Sequence, residues 1–149
     1  MPTAARSIED SATLTAAQGL CAKILIADDA PECQRYISWA LTKAGAMVDV
    51  AADGAAALKL AVAASEVDKP YDLILSDIEM PHVDGFELAR GLRHSNIRTP
   101  IAALTAREDD PSAYLAAGFN GIITKPFRPA ELVATCRGLI LAREGSIPK

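Results

Sequence analysis

The sequence predicts an α/β fold built on a parallel sheet, and three observations carry that reading. From Lys23 onward, short apolar runs rich in β-branched residues alternate with longer segments of helical periodicity, the signal of repeated βαβ units. The runs are Ile24-Leu25-Ile26-Ala27, Val48-Asp49-Val50-Ala51, Leu73-Ile74-Leu75-Ser76, Ile101-Ala102-Ala103-Leu104 and Ile122-Ile123-Thr124. Four of them are near-continuously apolar, as strands covered on both faces must be. Finally, those same four end on polar residues: Asp28-Asp29, Asp77, Thr105 and Lys125-Pro126. In an open parallel sheet ligands bind outside the carboxyl ends of the strands, so side chains placed there by separate strands converge.

The elements follow in order. The first helix opens at Pro31, whose fixed φ suits an opening turn, and stops at Gly45. Its stripe is Cys33, Ile37, Ala40, Leu41 and Ala44, the spacing of one buried face. Tyr36 and Trp39 lie one turn apart, about opposite Ile37, and are expected to face outward. The second strand runs into Asp53-Gly54 and carries no chemistry; the second helix is expected over residues 55–64. After the third strand, Asp84-Gly85 opens a helix ending near His94, with Leu88 and Leu92 on its inner side. A short helix at residues 111–117 is closed by Gly118. The last, residues 129–142, is expected to bury Leu132, Val133, Cys136, Leu139 and Ile140.

The chain has 149 residues, 50% of them hydrophobic, which suits one well-buried core. A formal net charge of -4 argues against a surface that tracks nucleic acid or anionic lipid, where clustered Lys and Arg are needed. No apolar stretch reaches the roughly 18 residues needed to span a bilayer. Glu9 and Asp10 interrupt any signal-peptide core. Residues 1–22 therefore read as an N-terminal tail or linker, with a short helix near residues 11–19 as an option, residues 23–142 as the domain and 143–149 as a C-terminal tail. Cys21, Cys33 and Cys136 form no C-x-x-C pair, which points to inert thiols in a reduced, cytoplasmic protein.

Carboxylates held together repel, and the usual relief is proton sharing or a hard divalent cation. An oxygen-only set, Asp28, Asp29 and Asp77, suits Mg²⁺. Taken singly, these acids are a helix lead-in and a turn residue; jointly, with a hydroxyl and an amine at neighbouring strand ends, they describe a site. A strand-end carboxylate beside a metal is able to attack phosphorus, which makes Asp77 the candidate nucleophile. Lys125 and Thr105 would neutralise and hold the transferred group.

The ordered set Ile24–Asp29, Asp77-Ile78-Glu79-Met80-Pro81 with Asp84-Gly85, Ala103-Leu104-Thr105-Ala106 and Lys125-Pro126-Phe127 resembles the motifs of response-regulator receiver domains. The resemblance covers residues 23–142. It implies a flavodoxin-like (βα)5 three-layer sandwich with a five-stranded parallel sheet in the order 2-1-3-4-5. It further implies that Asp77 accepts a phosphoryl group from a phosphohistidine of a histidine kinase or histidine phosphotransfer protein. Asp29 and Asp77 would ligate Mg²⁺ directly, Asp28 through water and Glu79 through its backbone carbonyl. Thr105 would follow the phosphoryl group and Lys125 would bind it.

Two departures from the family pattern stand out. The aromatic residue usual three positions before the lysine is Ile122 here, and the stretch from Thr105 to Gly118 is slightly shorter. His82 and His94 read as solvated side chains, neither spaced with the acids as a transition-metal site. The rival function is a Mg²⁺-dependent phosphohydrolase with an aspartate nucleophile. Those enzymes carry a second Asp two positions on, where this chain has Glu79, and a covering cap for which it has no residues. The expectation is thus a receiver that catalyses only its own phosphorylation and hydrolysis, either stand-alone or part of a larger protein such as a hybrid histidine kinase.

Overall fold

Alternation along each strand decides which helix covers which face. In the computed structural model, which describes residues 19–106 and 110–145, Ile24 and Ile26 of β1 (Lys23–Ala27) point to one side of the sheet and Leu25 and Ala27 to the other. The first pair packs with Ile37, Leu41, Leu132 and Cys136 of α1 (Pro31–Lys43) and α5 (Pro129–Gly145). The second pair packs with Ala57 and Ala61 of α2 (Gly54–Glu66), Leu88 and Leu92 of α3 (Gly85–His94) and Tyr114 of α4 (Pro111–Ala117). Two apolar layers therefore enclose one sheet, the three-layer sandwich expected.

The sheet is parallel, with β2 (Met47–Ala51), β1, β3 (Leu73–Asp77), β4 (Ile101–Thr105) and β5 (Gly121–Thr124) side by side in that order. Ile26 sits opposite Val50 on one side and Leu75 on the other, and Ala103 opposite Ser76 and Ile122. This is the 2-1-3-4-5 order. Its consequence is that β3, which carries Asp77, is central; the strands feeding Asp28 and Thr105 flank it, and the strand feeding Lys125 lies one further out, beyond β4. The two edge strands are the less buried ones: in β2 Met47 is 70% exposed and Val50 40%, and in β5 only Ile123 is buried.

Polar caps set the helix starts. Asp53 accepts from Ala56 N at 2.8 Å, so α2 begins at Gly54, ahead of the residue 55 expected, and it continues to Glu66. Asp84 and Glu87 form a reciprocal capping box at the start of α3. Gly118 closes α4 at φ +112, a left-handed turn that favours glycine. The last helix runs to Gly145 rather than 142, since Arg143 and Glu144 are good helix formers and the next breaker is that glycine. On it Val133 and Leu139 are half-buried, at the margin of the stripe.

Ahead of β1, Leu20 N donates to Ala44 O at 2.8 Å, and Ala22, 6% exposed, joins the α1/α5 layer. The option of a helix near 11–19 falls outside the described residues apart from Gly19, and so do the tail readings for 1–22 and 143–149 except at residues 19–22, which lead into β1, and 143–145, which belong to α5. Among the described residues no helix is long and apolar enough to cross a membrane.

Candidate functional site

The polar residues at the strand ends meet as the chain order demands. Asp28 continues β1, its N–H bonded to Ala51 O at 3.1 Å, and its side chain is fully buried. Oδ1 accepts from Ala30 N at 2.9 Å, and Gln34 Nε2 donates to the Asp28 carbonyl at 2.5 Å. Among the described residues Oδ2 has no hydrogen-bond partner, and Lys125 Nζ lies 3.9 Å from it. Asp29 is exposed at the rim. Asp77, ending β3, offers Oδ1 to Lys125 Nζ at 3.5 Å. Ligand oxygens of Asp28, Asp29 and Asp77 all lie within 4.8 Å of one another.

Close backbone packing holds Asp77 in place. Gly85 N donates to Ile78 O at 2.9 Å, and a Cβ at Gly85 would lie 2.5 Å from Asp77 O and 2.9 Å from Ile78 Cα. Any side chain there would push the nucleophile candidate out of line. On the other flank, Lys125 N donates to Thr105 O at 2.8 Å, which ties the lysine to the end of β4. Thr105 is buried at 3% exposure, and the Lys125–Pro126 peptide is cis.

Electrostatics follow from this burial. Desolvation raises Asp28 above the ordinary carboxylate value and Asp77 adds to it, while the Ala30 N–H and Lys125 pull the other way. Asp77 is likewise raised by burial, against the Lys125 ammonium and the backbone N–H groups of Ile78 and Glu79. Burial alone would lower Lys125, but Asp77 and Asp28 outweigh it, so the ammonium is held charged. Raised acids beside an orphaned buried oxygen mean that one cation does not satisfy three carboxylates. A second, hard cation fits the remaining oxygens, and an all-oxygen set with room for water is the chemistry of Mg²⁺. Among the described residues this is the cluster of metal-ligand type present.

Glu79 has an exposed side chain, and its loop carries the backbone carbonyl named above. His82 and His94 are both exposed, and neither joins the acidic cluster. Ile122 is half-buried and packs against the α2/α3/α4 layer.

Two participants escaped the sequence reading. Cys33, expected in the buried stripe of α1, is half-buried at the edge of the site with Sγ 3.8 Å from Lys125 Nζ. Burial and the Asp28 charge push its thiol up. Tyr36 faces outward as expected, at 38% exposed, but its hydroxyl donates to Phe127 O at 2.9 Å and its ring lies 5.8 Å from that of Phe127, a contact the sequence did not announce. The signal for both was position: the first turns of a helix that leaves a strand's carboxyl end must border the crevice. Together with Ala106, Lys125, Pro126 and Phe127 they line a cavity of about 600 Å³ beside Asp77's partner lysine. Trp39 is 53% exposed, as expected.

Comparison with known proteins agrees with this geometry. Residues 24–137 match the family model of the response regulator receiver domain. The transcriptional regulatory protein TcrA of Mycobacterium tuberculosis is 39% identical over 129 residues, which are 85% of this chain and 48% of that protein. The chain thus spans about half the length of that relative. Among solved structures, the receiver domain of the Francisella response regulator 1452 superposes with a TM-score of 0.72 at 32% identity, covering 82% of this chain and 98% of that one. The receiver domain of the sensor histidine kinase PA1611 from Pseudomonas aeruginosa PAO1, described with a magnesium ion in its active-site cleft, gives 0.70 at 35% identity, covering 80% and 97%. With the family model matched across every strand and every strand-end residue described above, the chain belongs to the response regulator receiver domain family.

Proposed function

We propose that the protein is a phosphorelay receiver whose acceptor is Asp77. The observation that carries this is the placing of the Asp77 carboxylate at the end of the central strand, 3.5 Å from an ammonium and within 4.8 Å of two further acids. In that position a carboxylate oxygen forms the new bond to phosphorus as the bond to the donor's imidazole nitrogen breaks. The ring keeps the electron pair and takes up a proton. Lys125 neutralises the transferred oxygens and Thr105 donates a hydroxyl to them. Asp28, Asp29, Asp77 and the Glu79 carbonyl would hold Mg²⁺, which when bound offsets the charge of the phosphoryl oxygens.

The partner is a histidine kinase or histidine phosphotransfer protein in the cytoplasm, and the formal net charge of -4 speaks against nucleic acid as a partner. No separate metabolite is turned over. Incubation with a small phosphodonor and Mg²⁺, followed by intact mass and mapping, tests the reading. One phosphoryl group on Asp77, and none in Asp77→Asn, is expected. Stoichiometric labelling of Asp77→Asn would sink the assignment, and multiple turnover of phosphate monoesters would favour the hydrolase.

A further inference from the structure

We propose that Gly54, at the start of α2 and outside the carboxylate cluster, is a positioning residue for the metal-binding loop that follows Asp77. The loop has three apolar anchors. Ile78 and Met80 are buried at 2% and 8% exposure, and Val83 packs half-buried against the same layer. Between them Glu79, Pro81 and His82 stay exposed. The anchors turn the Glu79 peptide toward Asp77, and the Glu79 N–H is one of the groups that hold down the Asp77 carboxyl.

The third anchor rests on Gly54. A Cβ built there would overlap the Val83 carbonyl oxygen and lie 2.6 Å from Val83 Cγ1 and 3.0 Å from its Cβ. A flexible side chain would yield to such a contact, but a carbonyl oxygen moves only with its backbone. That backbone is already constrained: Val83 N donates to Pro81 O at 2.8 Å, and His82 between them takes φ +67. The next residue, Asp84, is locked in the α3 capping box. Displacing Val83 therefore passes strain toward Glu79 rather than into α3. Gly54 itself does not adopt a positive φ, so its small size answers to no backbone demand of its own. Helix propensity would favour alanine at this position. The close approach to Val83 is what requires glycine.

The inference rests on the reading of Asp28, Asp29, Asp77 and Glu79 as a Mg²⁺ site, and the two are separable by calorimetric Mg²⁺ titration of the full chain. Wild-type protein that takes up no Mg²⁺ overturns that reading of the site and this inference with it. If wild type binds, Gly54→Ala should weaken the dissociation constant by about fivefold or more, since sub-ångström displacement of a ligand is costly. Its labelling by a small phosphodonor should be slow at low Mg²⁺ and recover at saturating Mg²⁺, a split that general loss of folded protein would not produce. Gly91→Ala is the matched control, because a Cβ there meets only the Leu58 side chain, at 3.3 Å, on the same α2/α3 interface. It should leave Mg²⁺ affinity unchanged. Should Gly54→Ala fail to fold, Val83→Ala, which loosens the anchor without a clash, should weaken binding in the same direction. A Mg²⁺ affinity within twofold of wild type in Gly54→Ala, or in Val83→Ala where that variant stands in, overturns the proposal; so does an equal loss in Gly91→Ala.

Discussion

Lys125 and Asp77 stand 3.5 Å apart although their strands, β5 and β3, are not neighbours; β4 lies between them. The ammonium reaches across the end of β4 to the central strand, and it also approaches Asp28 Oδ2 at 3.9 Å. One cation is thus shared between two raised acids, which leaves it unable to neutralise both.

Replacing Lys125 by Met separates its two effects. Without the ammonium the acids lose a competing cation, so Mg²⁺ should bind about tenfold more tightly, the order of the repulsion between a unit charge and a divalent ion a few ångströms away in a wet cleft. Mg²⁺ should then raise Tm more in Lys125→Met than in wild type. Phosphorylation from a small donor should nevertheless slow by about two orders of magnitude, since the charge that receives the phosphoryl oxygens is gone. Calorimetry, thermal melting and labelling rates check the three parts. Weaker Mg²⁺ binding in this variant would show that the lysine organises the carboxylates rather than opposing the ion.

At the opposite end of the sheet, Arg93 holds four residues of two chain segments, 97–99 and 118–120, with one side chain. Nε and Nη2 donate to Gly118 O at 3.1 and 2.7 Å, Nη1 to Ile97 O and Thr99 O at 2.8 and 2.9 Å, and Nη2 also to Asn120 Oδ1 at 2.8 Å. Asn120 Oδ1 in turn accepts from Ile101 N, the first residue of β4. Arg93→Met should cost about 2–4 kcal/mol, because several part-buried carbonyls lose their donors at once. Arg93→Lys should recover little, since a point donor does not reproduce the planar fork. Urea unfolding measures both, and a loss under about 1 kcal/mol for Arg93→Met would mean that water replaces the clamp.

Alkaline pH should destabilise the fold through two groups remote from the site. Burial pushes the Cys136 thiol from 9.0 up to about 12. Tyr71 is raised above its usual 10.0 by burial and by its 2.7 Å hydrogen bond to Asp49. Both hold their protons more tightly folded than unfolded, so their contribution is whole below the unfolded values and is lost as pH climbs through the folded ones. The urea midpoint should therefore fall as pH rises above 9.0, and Tyr71→Phe should flatten part of that fall. Native Cys136 should resist alkylation under conditions where the exposed Cys21 reacts. A midpoint that stays level through this window would refute the linkage.

How much of this was readable in advance depends on what kind of contact places a residue. Asp28, Asp77, Thr105 and Lys125 were visible because buried parallel strands write themselves as unbroken apolar runs, and the first polar residue marks the strand's end. The order of the strands came only through resemblance to a family, since alternating elements fit several windings. Contacts set by close tertiary approach left little local trace: Cys33 beside Lys125, Leu20 against Ala44, and Val83 over Gly54 involve residues whose neighbours in sequence do not announce them. Tyr36 was assigned to the outer face of α1 by periodicity, yet the loop after β5 curls over that face and takes its hydroxyl.

The pairing of Tyr36 with Phe127 and the exposure of Trp39 divide the outer face of α1 into two roles. Tyr36 ties the helix to the Lys125-Pro126-Phe127 loop, whereas Trp39, 53% exposed with the Lys43 ammonium 5.0 Å over its ring, is open to a partner. Trp39→Ala should therefore slow transfer from a cognate phosphohistidine protein but not from a small donor. Tyr36→Ala should slow both, because it frees the loop that carries the lysine. Rate measurements with the two donor classes decide it; equal slowing by Trp39→Ala would remove the docking role.

Signal export turns on Ile122. It lies opposite Ala103 in β5, half-buried against the α2/α3/α4 layer, and it is followed by the strand end that bears Lys125. An aromatic ring at this place would have a large swing available about its first torsion. A β-branched side chain in a strand is held near one rotamer, so Ile122 has little travel to offer when Thr105 shifts toward a phosphoryl group. The response should then concentrate in residues 105–111 and reach α4 and α5 only weakly, which suits a domain that passes its phosphoryl group onward. Amide exchange of free and beryllofluoride-bound protein resolves this residue by residue. Ile122→Phe should widen the response along α4 and β5, since it restores a ring able to change rotamer. Changes in wild type that spread through Ile122 and along α5 as strongly as those near Thr105 would show that the missing ring is no barrier.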